Sequence, residues 1–537
     1  MRSRSASLLS KAAAVLAFAT ALAAALAAAP AAAPAAVPAA VPAVQATHTA
    51  GSVRIRDAVR HWRQAHEHAI VADYVTFLSL PDVATNVPDV ERNAAYIEQQ
   101  LKARGFTTRL LLAAPGTPPS VLAEMHVPGA RHTVIYYAHY DGQPVNQQGW
   151  ITKPFEPAMR TALPEARPVD WQHTPGPLNP EWRLYARAAG DDKVSIQAML
   201  SALDALHAAG LRPSVNLKLL YEGEEEQGSP HLMALVAKNL ELLNGDLLIM
   251  GDGPMHQTGK QLVNFGNRGI ASLTLTVYGP LRPLHDGHYG SWAPSPAVMI
   301  AHLITSLRDD DGRILIPHFY DDVTPASPAD LAALAAMPPV EDALKRSLGL
   351  GRTIGPPRLA NGYLEPTLNV RALHAGDAGP SAANAIATHA DASLDFRLAP
   401  GETPEHTREL LESFLRQQGW LIVRSDPDVT TRLAHPRIVR IDWEAGSIAV
   451  KTPLDLPACK AVVASIARTV GYPPIELPIV GASSGMADVV GQLHVPMVGV
   501  SIANYDDNQH AQNENLRLGN LWDGIEVYAG LVADLNW

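Results

Sequence analysis

The sequence predicts an α/β protein: a doubly wound mixed sheet forms the main domain, and an α+β sandwich domain is inserted into it. Three observations support this fold class. Apolar runs at 133–137, 215–220 and 247–250, typical of buried strands, alternate with segments of helical periodicity. Acidic residues and a histidine follow these runs. A separate alternating pattern, typical of strands with one exposed face, begins at residue 271.

The N-terminus has the pattern of a targeting segment. Arg2, Arg4 and Lys11 precede an apolar Ala/Leu run that ends near residue 29, and repeated Ala-Pro follows as a semi-rigid tether. We expect residues 1–47 to be signal peptide and tether, and the mature protein to be exported, periplasmic or secreted, and free of the membrane. An uncleaved membrane anchor is the alternative, but the run is short and rich in alanine.

Composition excludes several classes of protein and of site. The 537 residues are 47% hydrophobic and 18% charged, a globular composition with room for two or three domains. A net charge of -11 argues against a nucleic-acid partner. Cys459 is the single cysteine, so neither an intrachain disulfide nor a cysteine zinc site can form. Histidine, aspartate and glutamate must therefore hold any metal.

The first candidate site residues follow the strand at 133–137, which comes after helical patterns at 53–71 and 90–104. His139 and Asp141 are two residues apart and face the same side in extended geometry, so the carboxylate can fix the tautomer of the imidazole. A histidine at a strand end is usually structural. This pair alone leaves both interpretations open.

A second acidic pair, Asp191-Asp192, precedes a helical pattern at 194–206. The helix dipole favours negative charge at this end. Simple capping explains one aspartate but does not require two.

Three consecutive glutamates, Glu224 to Glu226, follow the run at 215–220. An isolated cluster of this kind is usually a solvated acidic turn. Crowded carboxylates repel one another, however, and a dinuclear metal centre would compensate them. Asp252 follows the run at 247–250, so all these groups fall at the carboxyl edge of the predicted sheet, where open α/β sheets bind ligands.

Taken in order, these motifs resemble a family of co-catalytic dizinc peptidases that includes carnosinase-type dipeptidases, carboxypeptidase G, aminoacylases and succinyl-diaminopimelate desuccinylase. The resemblance covers residue 53 to the C-terminus and rests on these motifs: His139-Tyr140-Asp141, Asp191-Asp192-Lys193, Glu225-Glu226-Gln227-Gly228-Ser229, Asp252 and His510-Ala511-Gln512-Asn513-Glu514.

The resemblance implies a zinc-peptidase-like fold and two divalent metal ions per subunit, with zinc expected and manganese or cobalt as alternatives. Glu225 resembles the general base and Asp141 the residue that supports the metal-binding histidine. Asp191 resembles the carboxylate that bridges both metals. The full set of implied metal ligands is His139, Asp191, Glu226, Asp252 and His510.

The sequence departs from the family pattern in two places, on both sides of the bridging aspartate and in the segment 150–184. The family usually has glycine where this sequence has Ala188 and Val194, so we expect a slightly shifted loop. The family also implies a non-proline cis peptide bond between Asp191 and Asp192. The segment 150–184 is longer than usual and is predicted to narrow the substrate entrance.

The inserted sandwich, residues 265–452, resembles the family's lid and dimerisation domain, and divides the catalytic domain into 48–264 and 453–537. The resemblance implies a homodimer in which His285 enters the partner's site and stabilises the oxyanion. Asn384 and Arg397 match substrate-contacting positions. For Arg397, a salt bridge at the strand edge is the alternative.

The predicted function is hydrolysis of the amide bond of dipeptides or short peptides. The runner-up is an N-acyl-amino-acid deacylase, or aminoacylase, of the same fold. Two remote alternatives are a serine hydrolase using Ser483 in Gly-x-Ser-x-Gly with Asp506 and His510, and an exported binding protein without catalysis. The first leaves Asp191 and the glutamates unexplained, and the second leaves Glu225 unexplained.

Overall fold

A computed structural model of the chain describes residues 50–146, 148–162 and 166–537. The predicted signal peptide and tether lie outside these ranges. Of the helices in the described ranges, none combines the length and the apolar character that crossing a membrane requires.

Helices pack on both faces of an eight-stranded sheet and on one face of a five-stranded sheet in the inserted segment. The described α-helices are α1 Ala50–Leu78, α2 Val87–Ala103, α3 Lys193–Ala208, α4 Leu232–Lys238, α5 Asp286–Tyr289, α6 Pro296–Leu307, α7 Pro328–Ala336, α8 Glu341–Ser347, α9 Pro404–Gln417, α10 Val429–Ala434, α11 Pro457–Val470, α12 Met486–Leu493 and α13 Leu518–Ala533.

The strands form two large and three small sheets. They are β1 Thr107–Leu111, β2 Ser120–Met125, β3 Thr133–His139, β4 Ala158–Arg160, β5 Arg183–Tyr185, β6 Asn216–Glu222, β7 Leu247–Met250, β8 Leu262–Asn264, β9 Gly266–Asn267, β10 Gly269–Tyr278, β11 Leu284–His285, β12 Thr367–His374, β13 Ala385–Ile386, β14 His389–Leu398, β15 Leu421–Val423, β16 Ile438–Trp443, β17 Val450–Lys451, β18 Ile475–Leu477, β19 Met497–Val500 and β20 Asn515–Arg517.

The eight-stranded sheet is mixed, in the order β1-β2-β6-β3-β7-β19-β8-β18. Its centre, β6-β3-β7-β19, is parallel. Strand β2 runs antiparallel to β6, β8 runs antiparallel to β19, and β1 runs antiparallel to β2. One face packs against α1, α3, α11 and α13, and the other packs against α4 and α12. Helix α3 is buried over most of its length because it lies between the sheet and α1 and α13. The mixed α/β prediction is confirmed.

Most predicted elements are present with small shifts in their ends, and β7 has the predicted bounds. Helix α4 is a short helix of seven residues. It ends because Asn239 leaves helical geometry, with φ of −125°, and its side chain donates to the Leu235 carbonyl at 2.8 Å. A polar side chain that competes for backbone hydrogen bonds ends a helix in this way.

The inserted segment builds a five-stranded sheet, β12-β14-β10-β16-β15, covered on one face by α6 and α9. Helix α7 and the following segment extend from it and pack on the edge of the large sheet. There Leu334 and Met337 contact a buried cluster with Ile475 and Leu477 of β18. The insertion therefore covers the edge strand of the large sheet next to β8.

The long segment at 150–184 contains regular structure. Strand β5 pairs with β4 on one side and with β20 on the other, and this three-stranded sheet joins the segment to the C-terminal part of the chain.

Candidate metal centre

Three parallel strands end side by side and deliver the acidic and histidine side chains. Strand β3 lies between β6 and β7, and its last residue, His139, pairs with Glu222 at the end of β6. A single 3-10 turn, Glu225–Gln227, follows β6, and Asp252 comes two residues after β7. Because parallel strands end at the same edge, these side chains meet there.

Asp191 lies between two imidazoles. Its Oδ1 is 3.0 Å from Nε2 of His139, and its Oδ2 is 3.0 Å from Nε2 of His510. The same His510 nitrogen is 3.2 Å from Oε2 of Glu226. His139 and Asp191 are buried, whereas the His510 side chain is 54% exposed. Asp191 therefore links an enclosed half of the site to an open half.

Two groups of side chains have the spacing of a metal site, and within each group the candidate ligand atoms lie within 4.8 Å of one another. In the buried interior, Oδ1 of Asp252 has no hydrogen-bond partner among the described residues. Buried carboxylate oxygens need a donor or a cation, and nitrogen and oxygen ligands suit divalent ions. The site therefore fits metal ions. One group consists of His139, Asp191 and Asp252, and the other consists of Asp191, Glu226 and His510. The carboxylate of Asp191 therefore belongs to both groups.

The carboxylates perturb one another. Burial, followed by the charge of Asp191, raises the pKa of Asp252 well above its ordinary value. Burial also raises the pKa of Glu225 to about 7, with Glu226 and Asp191 adding to the effect. Burial would raise the pKa of Asp191 as well, but hydrogen bonds with His139 and His510 hold it below its ordinary value. The arrangement concentrates negative charge where a cation would be held.

Glu225 belongs to neither ligand group and is positioned beside them through its backbone. Its N–H donates to Oδ1 of Asp141 at 3.1 Å, and the N–H of Glu226 donates to Oδ2 at 3.0 Å. Nδ1 of His139 lies 3.3 Å from the same Oδ1. A single buried carboxylate thus fixes the imidazole and both glutamates.

The family model described as peptidase family M20/M25/M40 matches residues 135–534 of this chain. The chain belongs to this family.

Individual relatives agree with this assignment. The chain is similar to the Cys-Gly metallodipeptidase dug1 of Schizosaccharomyces pombe, with 24% identity over 424 residues, covering 78% of this chain and 83% of that protein. It is also similar to the Beta-Ala-His dipeptidase of Homo sapiens, with 24% identity over 431 residues and 78% of each chain covered. Among solved structures, the M20 family metallo-carboxypeptidase Sso-CP2 from Sulfolobus solfataricus has 26% identity and a TM-score of 0.72, covering 87% of this chain and 98% of that one.

In this M20 peptidase the loop that carries Asp191 is held by Glu514, whose role the sequence did not reveal. The N–H groups of Gly190 and Asp191 donate to Oε1 of Glu514 at 2.9 and 3.1 Å. The Ala188 N–H at 3.1 Å and Nη1 of Arg187 at 2.7 Å donate to Oε2. Burial raises the pKa of Glu514 to about 8, but all four partners are donors, which suits the ionised form. A fully buried carboxylate among four donors therefore fixes the loop.

The peptide bond between Asp191 and Asp192 is cis, so this prediction is confirmed. Ala188 has a left-handed φ of 59°. Glycine adopts this conformation more easily than alanine, which explains in physical terms why the family usually has glycine near this point.

Two further contacts at the site were absent from the sequence analysis. Nε2 of Gln143 donates to Oε2 of Glu226 at 2.7 Å. Lys193 forms a fully buried ion pair with Asp82, at 2.8 Å, beneath the loop. Neither Gln143 nor Asp82 could be identified from the sequence, because a single glutamine or a distant aspartate forms no local pattern.

Ser483 does not form the triad of the serine-hydrolase alternative. Its Oγ donates to the Gly269 carbonyl and accepts from Nη1 of Arg397, both at 3.0 Å. Asp506 is bound by Arg183, at 2.7 and 3.0 Å, while His510 faces the metal ligands. The structure therefore shows no hydrogen bond linking Ser483, Asp506 and His510 as a triad.

His285 and Asn384 lie next to each other, and neither belongs to the two ligand groups of their own chain. Strand β11 pairs with β13, and the Asp286 N–H donates to the Asn384 carbonyl at 3.2 Å. The His285 side chain is 57% exposed, and its ring lies 4.6 Å from that of His288.

Among the described residues of the segment at 150–184, none lines the two cavities that adjoin the metal centre. At its start, the Ile151 N–H donates to Oδ1 of Asn513 at 2.9 Å, and Nδ2 of Asn513 donates to the Gly149 carbonyl at 3.2 Å. These bonds hold the loop that carries His510. The segment therefore supports a ligand loop, and the narrowing of the entrance stays a prediction.

Two chambers adjoin the centre. The Asp252 chamber, about 550 Å³, includes Asp252, Gly481 and Ala482 in its lining. The Glu225 chamber, about 540 Å³, includes Glu225, Glu226, Ser483 and His510. The loop 481–485 contributes to both and lies between them.

Proposed function

We propose that this M20 peptidase is a dipeptidase that hydrolyses the amide bond of dipeptides or short peptides with two divalent cations, zinc being the expected metal. The observation that carries the proposal is the Asp191 carboxylate, which belongs to both ligand groups at once. The metallodipeptidase names of the relatives support the substrate class.

His139, Asp191 and Asp252 would hold one ion, and Asp191, Glu226 and His510 the other. When bound, such ions activate water and polarise a carbonyl. The residues of the chain prepare this site: Asp141 orients one histidine, and Glu514 holds the loop of the shared aspartate.

Glu225 is the general base. It takes a proton from the attacking water as the water oxygen bonds to the carbonyl carbon, and returns it to the amine nitrogen when the C–N bond breaks. Its position beside both ligand groups, fixed by the bond from its N–H to Asp141, suits both the acceptance and the return of the proton.

Arg397 binds the free carboxylate of the substrate. Its guanidinium lies beside the loop between the chambers, 3.0 Å from Oγ of Ser483. Asp395 is 3.3 Å from Nη2, and the Arg397 side chain is 27% exposed, which leaves it accessible to an anion.

The active enzyme is a homodimer. The exposed position of His285, which belongs to neither ligand group of its own chain, supports its proposed role as an oxyanion donor in the partner's site, with Asn384 beside it. Size-exclusion chromatography with light scattering tests the dimer. Restoration of activity on mixing His285→Ala with Glu225→Gln tests the exchange of residues between sites.

The mature enzyme is exported. The N-terminal pattern of basic residues, an apolar run and Ala-Pro repeats supports this proposal. N-terminal sequencing of the processed protein from cell fractions tests both the cleavage and the compartment.

The deciding experiment measures hydrolysis of a dipeptide panel and of N-acetyl and N-succinyl amino acids, with added zinc or manganese and Glu225→Gln as the control. We expect dipeptide turnover that a chelator abolishes. In Glu225→Gln, turnover should fall ~10²–10⁴-fold while bound metal is kept. Turnover of acylated substrates alone would refute the dipeptidase assignment.

A further inference from the structure

The Asp252 chamber has no role in the steps described above. Its volume, about 550 Å³, falls in the range of small-molecule sites, about 300–1,000 Å³. Its lining is mainly apolar and includes these side chains: Met250, Met255, Met337, Val340, Leu359 and Tyr363. Size and lining suit a bulky apolar group.

The outer wall of this chamber comes from the inserted segment between α7 and β12. Met337 and Ala360 pack in the same buried cluster as Leu262 of the large sheet, which fixes the wall in place. Arg358 and Glu341 on the wall pair with each other at 3.0 Å. The charges of Arg358 and Glu341 thus neutralise one another, and Arg268, which also lines the chamber, donates to the Gly481 carbonyl at 3.0 Å.

The two chambers border opposite halves of the metal centre. Asp252 belongs to one ligand group, while Glu226 and His510, which line the other chamber, belong to the second. A peptide whose scissile bond lies at the shared Asp191 therefore places one half in each chamber.

Glu225 determines the direction of the peptide. It returns a proton to the leaving amine, so the amine half lies in the chamber that Glu225 lines. Ser483 lines the same chamber and contacts Arg397, the proposed partner of the substrate carboxylate. The acyl half then occupies the Asp252 chamber.

We infer that the Asp252 chamber binds the side chain of the residue on the acyl side of the scissile bond and selects bulky apolar side chains there. This inference rests on the proposed peptidase function. Burial of a leucine or phenylalanine side chain is expected to raise kcat/KM ~10–100-fold over glycine at that position.

The test compares Phe-Ala, Leu-Ala and Gly-Ala as substrates of the full-length, metal-loaded enzyme. In Leu359→Trp, which fills the chamber, the ratio of kcat/KM for Phe-Ala to that for Gly-Ala is expected to fall ~10-fold or more. Leu433→Trp adds the same bulk at a position that is 85% exposed and outside both chambers. This control should keep the wild-type ratio.

Equal kcat/KM values for Phe-Ala and Gly-Ala in the wild type, or an unchanged ratio in Leu359→Trp, would overturn the inference. Val340→Phe narrows the same chamber from a different part of the wall and decides the question if Leu359→Trp does not fold. Failure to cleave any dipeptide would overturn the proposed function itself. Cleavage without preference would overturn the role of the chamber alone.

Discussion

Replacement of Glu514 by glutamine should loosen the loop of Asp191 without changing the size of the side chain. The four groups that contact Glu514 are all donors: three backbone N–H groups and the Arg187 guanidinium. A glutamine offers one acceptor oxygen, and its NH₂ group would face two of these donors. Two charge-assisted hydrogen bonds, from the Ala188 N–H and from Arg187, are lost in the orientation that keeps the bonds to Gly190 and Asp191.

The expected cost follows from these contacts. Each of the two lost bonds is charge-assisted and contributes about 1.5–3 kcal/mol. In addition, Arg187, only 3% exposed, is left with a weaker partner. We expect the free energy of unfolding of metal-free Glu514→Gln to fall by about 3–5 kcal/mol. Urea unfolding measures this change, and metal titration measures the accompanying loss of affinity.

Glu181→Gln is the matched control, because this carboxylate is 64% exposed and pairs with Arg517 at the surface. Its effect should stay within about 0.5 kcal/mol. A Glu514→Gln protein with the unfolding midpoint and the metal affinity of the wild type would refute the assignment of Glu514 as the clamp of this loop.

Three further predictions concern other parts of the molecule. Asp141→Asn should weaken metal binding ~10–100-fold, since the amide cannot accept from the N–H groups of both Glu225 and Glu226; isothermal titration measures this. Arg397→Ala should raise KM ~10–100-fold for dipeptides with a free carboxylate but not for their C-terminal amides, as steady-state kinetics would show. Burial raises the pKa of Glu402 from 4.5 to about 7, so its ionisation destabilises the native state as pH rises through this interval. Glu402→Gln should therefore reduce the decrease in the free energy of unfolding between pH 5 and pH 8 by up to about 3 kcal/mol. Unfolding experiments at the two pH values measure this difference.

Each of these predictions has a control and a contradicting result. For Asp141, the control is Asp321→Asn, an exposed aspartate paired with a histidine at 2.8 Å; equal metal affinities of the two variants would contradict the prediction. For Arg397, a parallel rise in KM for the amides would indicate a structural role. For Glu402, the control is Glu409→Gln, whose carboxylate is 78% exposed, and parallel pH profiles of the two variants would disprove the effect.

Sequence patterns predicted the parts of the site that follow strands. His139, Asp191, Glu225 and Asp252 were identifiable because β3, β6 and β7 are apolar runs and α3 has helical periodicity. Parallel strands then bring their ends together.

The groups that hold these residues were not predictable in the same way. Glu514 contacts a loop that is 323 residues away in the sequence, and Gln143 contacts a glutamate that is 83 residues away. Such long-range contacts leave no periodic signal in the sequence. The wall of the Asp252 chamber also escaped prediction, because α7 is short and packs on a sheet from another part of the sequence.

The position of β19 has a consequence for the synthesis of the protein. This strand, made of residues 497–500, lies between β7 and β8, and two metal-site residues, His510 and Glu514, follow it. A nascent chain of about 490 residues still has β7 and β8 as unpaired edges in the middle of its largest sheet, which are templates for aggregation. Closure of the sheet therefore waits for β19, and a chain without residues 510–514 would keep His139, Asp191 and Asp252 but lose one ligand of the second group and the clamp of the Asp191 loop.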